Sequence, residues 1–565
     1  MSSTRHRIGK ANRVVAQLVY LACIGALTSL TLTTFRALQL PRWSAWIVAI
    51  VVGVALAAAL MSLAKRGKAY LNGCLIGLLA ATAATLVLSE QHFAASAARS
   101  MAFAHPLIVL PFEGAPGSRF AAQLYEHVLE SLREVEGLDV ISAAGAKPLP
   151  PDVAAAVGEP TAVMLGASAS YEAGRLRSAL RIVDGGTGNA LWSSEYDASF
   201  DALATIDLEL AAAVAELQSL LLAESLPSRL EQRRPGSIEL FDLYGRVAAA
   251  WRMGGPVETS LMEPLQLLER ALELDAGFGP AHALAANLEA ALPLRGGGGP
   301  SARSSAADNI ERVERYAEAA LMTGPGNARA YQALAKSAQH RWQSGRAGEL
   351  YELALQRGST DPWLLMDYAM FSAWTRHREQ AIESAERAVR LAPFNAALRA
   401  QLGRAYYFCG SYDSAVAAYG EAAELGSTSP RIHLWRAMGE ALRGEPALAR
   451  DALEEYERLR VGVTHLDAQA AYVYAMLDLP EDAVRLVDTL ERATASQAVG
   501  SATRAVAKMA TGDYLEALDW LGDAASARIL DEGWEYLMEI AANSWSDPVL
   551  NEPAFRELRE ALRLQ

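Results

Sequence analysis

An alanine returns at every 34th position along the second half of this chain, and this feature constrains the fold more than any other. The series comprises Ala347, Ala381, Ala415, Ala449, Ala483 and Ala517. A second series lies 12 residues earlier and always holds a small residue: Ala335, Ala369, Gly403, Ala437, Ala471 and Ala505. A third contains Ala320, Ala354, Ala388, Ala422 and Ala524. A fixed period of this length is the signature of a repeat array. Each unit has room for two helices, and neither can bury its apolar face alone, so the units must stack.

The spacing and residue types resemble those of tetratricopeptide (TPR) repeats. In the unit that begins at Ala396, the matching residues are Leu402, Gly403, Tyr406, Ala415, Tyr419 and Ala422. Later units depart from the family pattern, since Arg436, Ala470 and Arg504 stand where the family has a large apolar residue. The resemblance implies an all-α TPR solenoid of about eight units over residues 238–565. A glycine- and serine-rich stretch at 295–308 is typical of a surface loop inserted into one unit.

In this family ligands lie against the first helix of each unit, so the resemblance implies a groove that binds a protein or peptide. The inward positions are occupied by Trp363, Met366, Met370, Trp374, Arg404, Tyr407, Phe408, Met438, Tyr472 and Met476. Aromatic and methionine side chains suit an adaptable apolar groove. The alternative is that several of these side chains pack into the core, and the sequence leaves both interpretations open.

Three long apolar runs, at 14–35, 43–63 and 70–88, contain no charged residue. Each is near the roughly 20 residues that a helix needs to cross a bilayer. The sequence thus predicts three transmembrane helices over 14–89, preceded by a cytoplasmic tail at 1–13 and followed by a linker at 90–105. A signal peptide is the alternative for the first run.

Basic residues flank these runs unevenly. Seven lie on the side of the membrane that would hold the N-terminus, and three lie on the opposite side. The positive-inside rule then predicts a bacterial inner-membrane protein with a cytoplasmic N-terminus and with residues 90–565 in the periplasm. Gly73 and Gly77 form a GxxxG pattern that permits close helix packing, either within the chain or between the copies of a homo-oligomer.

Residues 106–224 have the pattern of an α/β domain. A short apolar run at 107–112 and another at 138–142 are typical of buried strands. Alternating apolar and basic residues at 176–183 follow a turn at 172–174 and predict a half-buried hairpin. An amphipathic helix at about 200–223 closes the domain, and 225–237 is expected to be a linker.

These residues resemble the TolB-like domain found ahead of TPR arrays in bacterial signalling proteins. The matching stretches are 110–112, 136–141, 165–166, 182–184 and 191–197. Related chains often carry a DNA-binding, adenylate cyclase or kinase domain ahead of it. Here 13 residues precede the first apolar run, so none of these domains is expected.

The sequence shows no set of residues typical of catalysis. The glycine-rich stretch 184–189 lies between two strand patterns and favours a hairpin turn over a phosphate loop. The nine histidines form no pair at metal-binding spacing, so we expect no metal, no cofactor and no enzyme activity. Residues 106–565 hold 41 Lys and Arg against 64 Asp and Glu, a balance that disfavours nucleic acid as a partner.

The sequence therefore predicts three transmembrane helices, a TolB-like α/β domain and an all-α TPR solenoid. The expected function is a membrane-anchored periplasmic scaffold that binds a protein or peptide. The alternative is a sensor whose α/β domain binds a small ligand or responds to pH and signals across the membrane.

Overall fold

The computed structural model describes residues 106–526 apart from short gaps. The gaps are 116–117, 146–152, 160–161, 255–261, 292–305, 342, 359, 461, 463–465 and 495–500. Backbone contacts divide the chain into two units, Met1–Phe103 and Ala104–Gln565. All described residues belong to the second unit.

A five-stranded sheet forms the N-terminal part of the described chain, in the order β2-β1-β3-β4-β5. The strands are β1 (Leu107–Val109), β2 (Val140–Ser142), β3 (Val163–Glu172), β4 (Arg175–Asp184) and β5 (Ala190–Ser199). β1 runs parallel to β2 and β3, whereas β3, β4 and β5 are antiparallel neighbours. The strands occupy the apolar and alternating stretches from which the sequence predicts them.

Helices flank this sheet. They are α1 (Phe120–Leu132), the short α2 (Val153–Ala156), α3 (Leu203–Leu217) and α4 (Leu226–Arg233), with a 3-10 turn at Phe200–Ala202 ahead of α3. Leu226 and Leu230 of α4 are buried against the sheet's core, so a packed helix lies within the stretch expected as a linker at 225–237. The expected domain boundaries stay a prediction.

Eight consecutive helix pairs fill residues 238–526 of the described chain. They are α5 (Ile238–Gly254) with α6 (Met262–Leu274), α7 (Gly279–Ala291) with α8 (Ala306–Thr323), α9 (Ala328–His340) with α10 (Ser344–Gly358), α11 (Pro362–Trp374) with α12 (Arg378–Leu391), α13 (Ala396–Phe408) with α14 (Tyr412–Glu424), α15 (Pro430–Leu442) with α16 (Pro446–Leu459), α17 (Leu466–Met476) with α18 (Pro480–Thr494), and α19 (Ser501–Thr511) with α20 (Tyr514–Ser526). Neighbouring helices bury their apolar faces against one another, as a repeat array requires.

The periodic small residues lie where helices approach most closely. Every alanine of the first two series is fully buried. In the second series Gly403 replaces alanine, because an added Cβ would lie 2.4 Å from a ring carbon of Tyr419 on the partner helix. The period read from the sequence is thus the period of helix-to-helix contact.

Three first helices begin at a capping residue that also recurs every 34 residues. The side chains of Asn327, Asp361 and Asn395 accept hydrogen bonds from backbone amides in the first turns of α9, α11 and α13. Such caps satisfy amides that a helix cannot pair by itself.

The two faces of the sheet belong to different cores. Leu107, Val109 and Val140 point into the core that α1 and α3 complete. Ile108 and Ile141 alternate with them and join the core that runs through the helix pairs. The sheet and the helical array are therefore packed directly on each other.

The predicted fold class needs one correction. Among the residues that the structure describes, no helix is both long enough and apolar enough to cross a membrane. The fold is a mostly helical solenoid with one small sheet, and three transmembrane helices are not part of it as described. Residues 14–89, with Gly73 and Gly77, lie outside the described residues, and the periplasmic location of 90–565 stays a prediction.

We predict that Gly403→Ala destabilises the protein by about 2 kcal/mol, because the new methyl group collides with the buried ring of Tyr419. The free energy of unfolding is measured by urea titration.

The matched control is Gly420→Ala in α14, where an added Cβ meets no atom within 4 Å. Alanine favours the helix at this position, so we expect a gain of up to about 1 kcal/mol. An equal loss of unfolding free energy in the two variants would contradict a close contact between Gly403 and Tyr419.

Candidate functional site

The residues predicted to line a groove lie on four first helices of the array, α11, α13, α15 and α17. Eight of the ten side chains are buried: Trp363, Met366, Met370, Arg404, Tyr407, Phe408, Met438 and Tyr472. Trp374 is partly buried, and Met476 is 36% exposed. Most of the predicted groove is thus packed against other parts of the chain.

Contacts between successive first helices account for this burial. The Tyr407 hydroxyl donates a hydrogen bond to the Met438 sulfur at 2.7 Å. The Arg404 guanidinium lies 4.7 Å from the ring centre of Trp435, a cation–π contact. A periodic pattern cannot distinguish such side chains from groove residues, because both recur at the same helical position.

Two of these residues, Trp374 and Met476, stay partly open and belong to one row along the array. Trp374, Phe408, Leu442 and Met476 are spaced 34 residues apart, and each is the last residue of its first helix. We call this set the end row. The Trp374 and Phe408 rings meet edge to face, with their centres 6.3 Å apart. Equivalent positions of stacked units lie side by side, so the end row follows the array.

Helix α5 covers the neighbouring part of the array. Trp251 packs against Trp363, with ring centres 6.4 Å apart. The indole N–H of Trp363 and the side-chain amide of Asn395 both donate to the Arg252 carbonyl, at 3.1 and 2.7 Å. Gly145, after β2, approaches so closely that an added Cβ would lie 2.5 Å from the Phe394 carbonyl oxygen.

Charged side chains that the sequence analysis did not single out meet at the junction between sheet and array. We call them the junction cluster. It comprises Arg133, Arg229, Arg233, Arg252 and Arg329 with Glu126, Glu130, Glu134 and Asp361. These residues come from α1, α4, α5, α9 and the end of the loop before α11, so no local spacing connects them. Only the packing of the two parts brings them together.

Glu130 is the centre of the junction cluster. Its carboxylate accepts hydrogen bonds from Arg329 at 2.7 Å, Arg233 at 2.8 Å and the Tyr244 hydroxyl at 3.0 Å. Arg252 also approaches it, at 3.4 Å, and pairs with Glu126. One buried carboxylate therefore connects α1 of the sheet domain with α4, α5 and α9.

The charges perturb one another strongly. Burial alone would raise the pKa of Glu130, but Arg329 and Arg233 outweigh it and lower the pKa to about 2. Asp361 behaves in the same way, with a pKa lowered to about 2 by Arg329 and Arg133 against the effect of burial. Burial, with a smaller contribution from Arg329, lowers the pKa of Arg252 to about 10. The two carboxylates remain charged throughout the physiological pH range.

A small pocket lies beside this cluster, and we call it the junction pocket. Its walls include Arg133, Ser142, Arg252, Trp363 and Asn395. The Nε, Nη1 and Nη2 atoms of Arg133 are all shielded from solvent and have no hydrogen-bond partner. Burial lowers the pKa of this guanidinium, and the nearby Asp361 opposes the shift.

The described residues contain no group of three or more His, Cys, Asp or Glu side chains arranged to hold a metal ion. A buried His127–Asp207 pair joins α1 to α3 at 2.6 Å.

The comparisons with known proteins match only parts of this chain. No family model matches the chain. Over 185 residues the chain is 29% identical to a protein of Rhizobium meliloti (strain 1021) named "Putative adenylate cyclase 3", a match that covers 31% of this chain and 31% of that protein. The chain thus spans about a third of the length of that relative. The TolB-like resemblance gains no support from these matches.

Solved structures similar to this chain include several repeat proteins. Human IFIT1, solved as a dimer with m7Gppp-AAAA, is 17% identical with a TM-score of 0.41, over 64% of this chain and 77% of its own. YrrB, described as a TPR protein with an unusual peptide-binding site, is 17% identical with a TM-score of 0.25, over 34% and 92%. PilF of Pseudomonas aeruginosa is 18% identical with a TM-score of 0.29, over 37% and 90%. We assign a helical repeat from the helix pairs of this chain and not from these similarities.

We predict that Glu130→Gln destabilises the protein by about 3–5 kcal/mol at pH 7, because three guanidinium groups lose their shared carboxylate. The Glu130 pKa is lower in the folded than in the unfolded chain. The stabilisation by Glu130 is therefore complete at a pH above the ordinary glutamate pKa and is lost as the pH falls through about 2. The difference in the free energy of unfolding between the variant and the wild type should narrow in acid. Urea unfolding at pH 7, 5 and 3 measures this difference.

Glu231→Gln serves as the control, since this carboxylate is 59% exposed and pairs with Arg234 at the surface. We expect a change within about 0.5 kcal/mol at each pH. A loss for Glu130→Gln that is equally small, or that grows in acid, would contradict the central role of Glu130.

Proposed function

We propose that the protein is a helical-repeat scaffold and that its array binds a segment of a protein or peptide along the end row. The observation that carries this proposal is the end row itself, a line of apolar side chains that keeps the repeat period and is not fully covered. Its residues are an aromatic pair, a leucine and a methionine, which adapt to varied apolar side chains.

The comparisons agree with a binding role. YrrB is described as having a peptide-binding site, and it shares helical repeats with this chain. The relative named as an adenylate cyclase matches over 31% of its length, and our proposal for this chain includes no cyclase reaction. Binding of a small ligand by the sheet domain stays the alternative expectation.

Peptide selection tests the proposal. A displayed library of random peptides is selected on the full chain, and the affinity of the selected peptides is measured by titration. Met476→Asp and Leu442→Asp place a charge in the end row, and each should weaken binding about 10-fold or more, since burial of an unpaired carboxylate opposes association.

Leu274→Asp is the matched control, because Leu274 is 46% exposed and ends α6 in the first helix pair, which carries no member of the end row. The affinity of this control variant for the same peptides should be unchanged. Equal losses in all three variants, or no peptide selected above background, would refute binding along the end row.

A further inference from the structure

Strand β5 ends the sheet, and its outer edge is open. It pairs with β4 on one side and with no described strand on the other. Apart from the ladder with β4 and one contact from the Arg175 side chain to the Asp197 carbonyl, the backbone of residues 190–199 makes no hydrogen bond within the described chain. The amide and carbonyl groups along this edge can therefore pair with another strand.

This edge lacks several of the features by which proteins prevent strand pairing. β5 spans ten residues, about twice the usual length of a strand, and contains no proline, lysine or arginine. Its two acidic residues lie on one face of the sheet, whereas Trp192 and Tyr196 lie on the other. Both rings pack against the core of the sheet domain but stay only half-buried, since the sheet ends beside them. A further strand would complete their burial.

We propose that two copies of this chain pair through β5 in antiparallel orientation, so that their sheets join into one. A twofold axis then passes beside Ser194, which lies opposite the same residue of the other copy. Twofold symmetry doubles every contact, and one sequence supplies both partners of each pair. This inference is independent of peptide binding along the end row.

The side chains of β5 determine this register. With Ser194 on the axis, Trp192 of each copy lies opposite Tyr196 of the other, and the interface gains two aromatic cross-strand pairs. An axis at Glu195 would oppose two carboxylates, and an axis at Ser193 would leave each ring opposite a small side chain. A shift by one residue would set the aromatic face of one copy beside the acidic face of the other.

Charge complementarity favours a second copy as the occupant of the edge. The other two arginines of β4 pair with Asp197, but Arg181 and Glu195 are exposed and make no ion pair within the described residues. Arg181 lies opposite Ser193 in the β4–β5 ladder. The proposed register places Glu195 of the other copy on the far side of Ser193. The two backbones are then about 10 Å apart, and the long side chains of arginine and glutamate can span this distance.

Disulfide cross-linking of the full chain tests the register. The three native cysteines, at 23, 74 and 409, are first replaced by alanine. Ser194→Cys then places two thiols opposite each other across the axis, with Cα atoms about 5 Å apart, a separation that a disulfide can bridge. Oxidation should convert this variant into a covalent dimer.

Ser193→Cys is the matched control, because Ser193 is the more exposed of the two serines and would react more readily in random collisions. The register separates the two copies of this residue by about 8 Å, which is too far for a disulfide. A cross-link that forms as readily at 193 as at 194, or none at 194, would overturn the proposal.

Charge reversal tests the same interface without a cross-link. Sedimentation equilibrium measures the dissociation constant of the dimer, on the full chain in detergent since its first 90 residues are strongly apolar. Glu195→Arg should weaken the dimer about 10-fold or more, because two ion pairs become two repulsive contacts. The double variant, Arg181→Glu with Glu195→Arg, should restore the affinity.

Glu349→Arg on α10 is the control for a change of charge, since Glu349 is exposed and lies in the array. It should leave the dissociation constant unchanged. A monomeric wild type, as expected if the edge takes a foreign peptide, would refute pairing of two copies. A dimer that Glu195→Arg does not weaken would be held by another part of the chain and would refute pairing through β5.

Discussion

Close approach of neighbouring helices at fully buried small residues is the contact on which the structure depends. The backbones of two helices can come this near only where alanine or glycine stands between them. Gly403 shows how tight the contact is, because Tyr419 fills the space that a methyl group would need. Repetition of this contact every 34 residues builds a continuous core along the array. The end row and the junction pocket both take their positions from it.

The sheet domain is part of the same packed unit. Alternate residues of β1 and β2 enter two different cores, and one of these cores is that of the array. At the polar edge of this contact the junction cluster replaces apolar packing with buried ion pairs. Such pairs add little net stability but penalise any arrangement that separates their partners. The junction is therefore specific in its geometry and sensitive to a change of charge.

Sequence reasoning identified the helical pairs and the strands because both have a local period. It could not place the groove residues, since Met438 and Tyr407 contact each other through stacking that no spacing reveals. It missed Glu130 and Arg329, which lie 199 residues apart and meet at 2.7 Å. A signal existed for Asp361, which stands at the same cap position as Asn327 and Asn395. The membrane helices were inferred from hydropathy alone, and the described helices contain none.

The sequence by itself determined the repeat, its period and the positions of helix contact, because each depends on residues within one unit and its neighbour. The tertiary structure decided which periodic side chains stay open and which are buried. It also brought the charged residues of the junction cluster together. Those outcomes depend on the free energy of groups brought together from distant segments, and no local pattern encodes where two packed surfaces will place their charges.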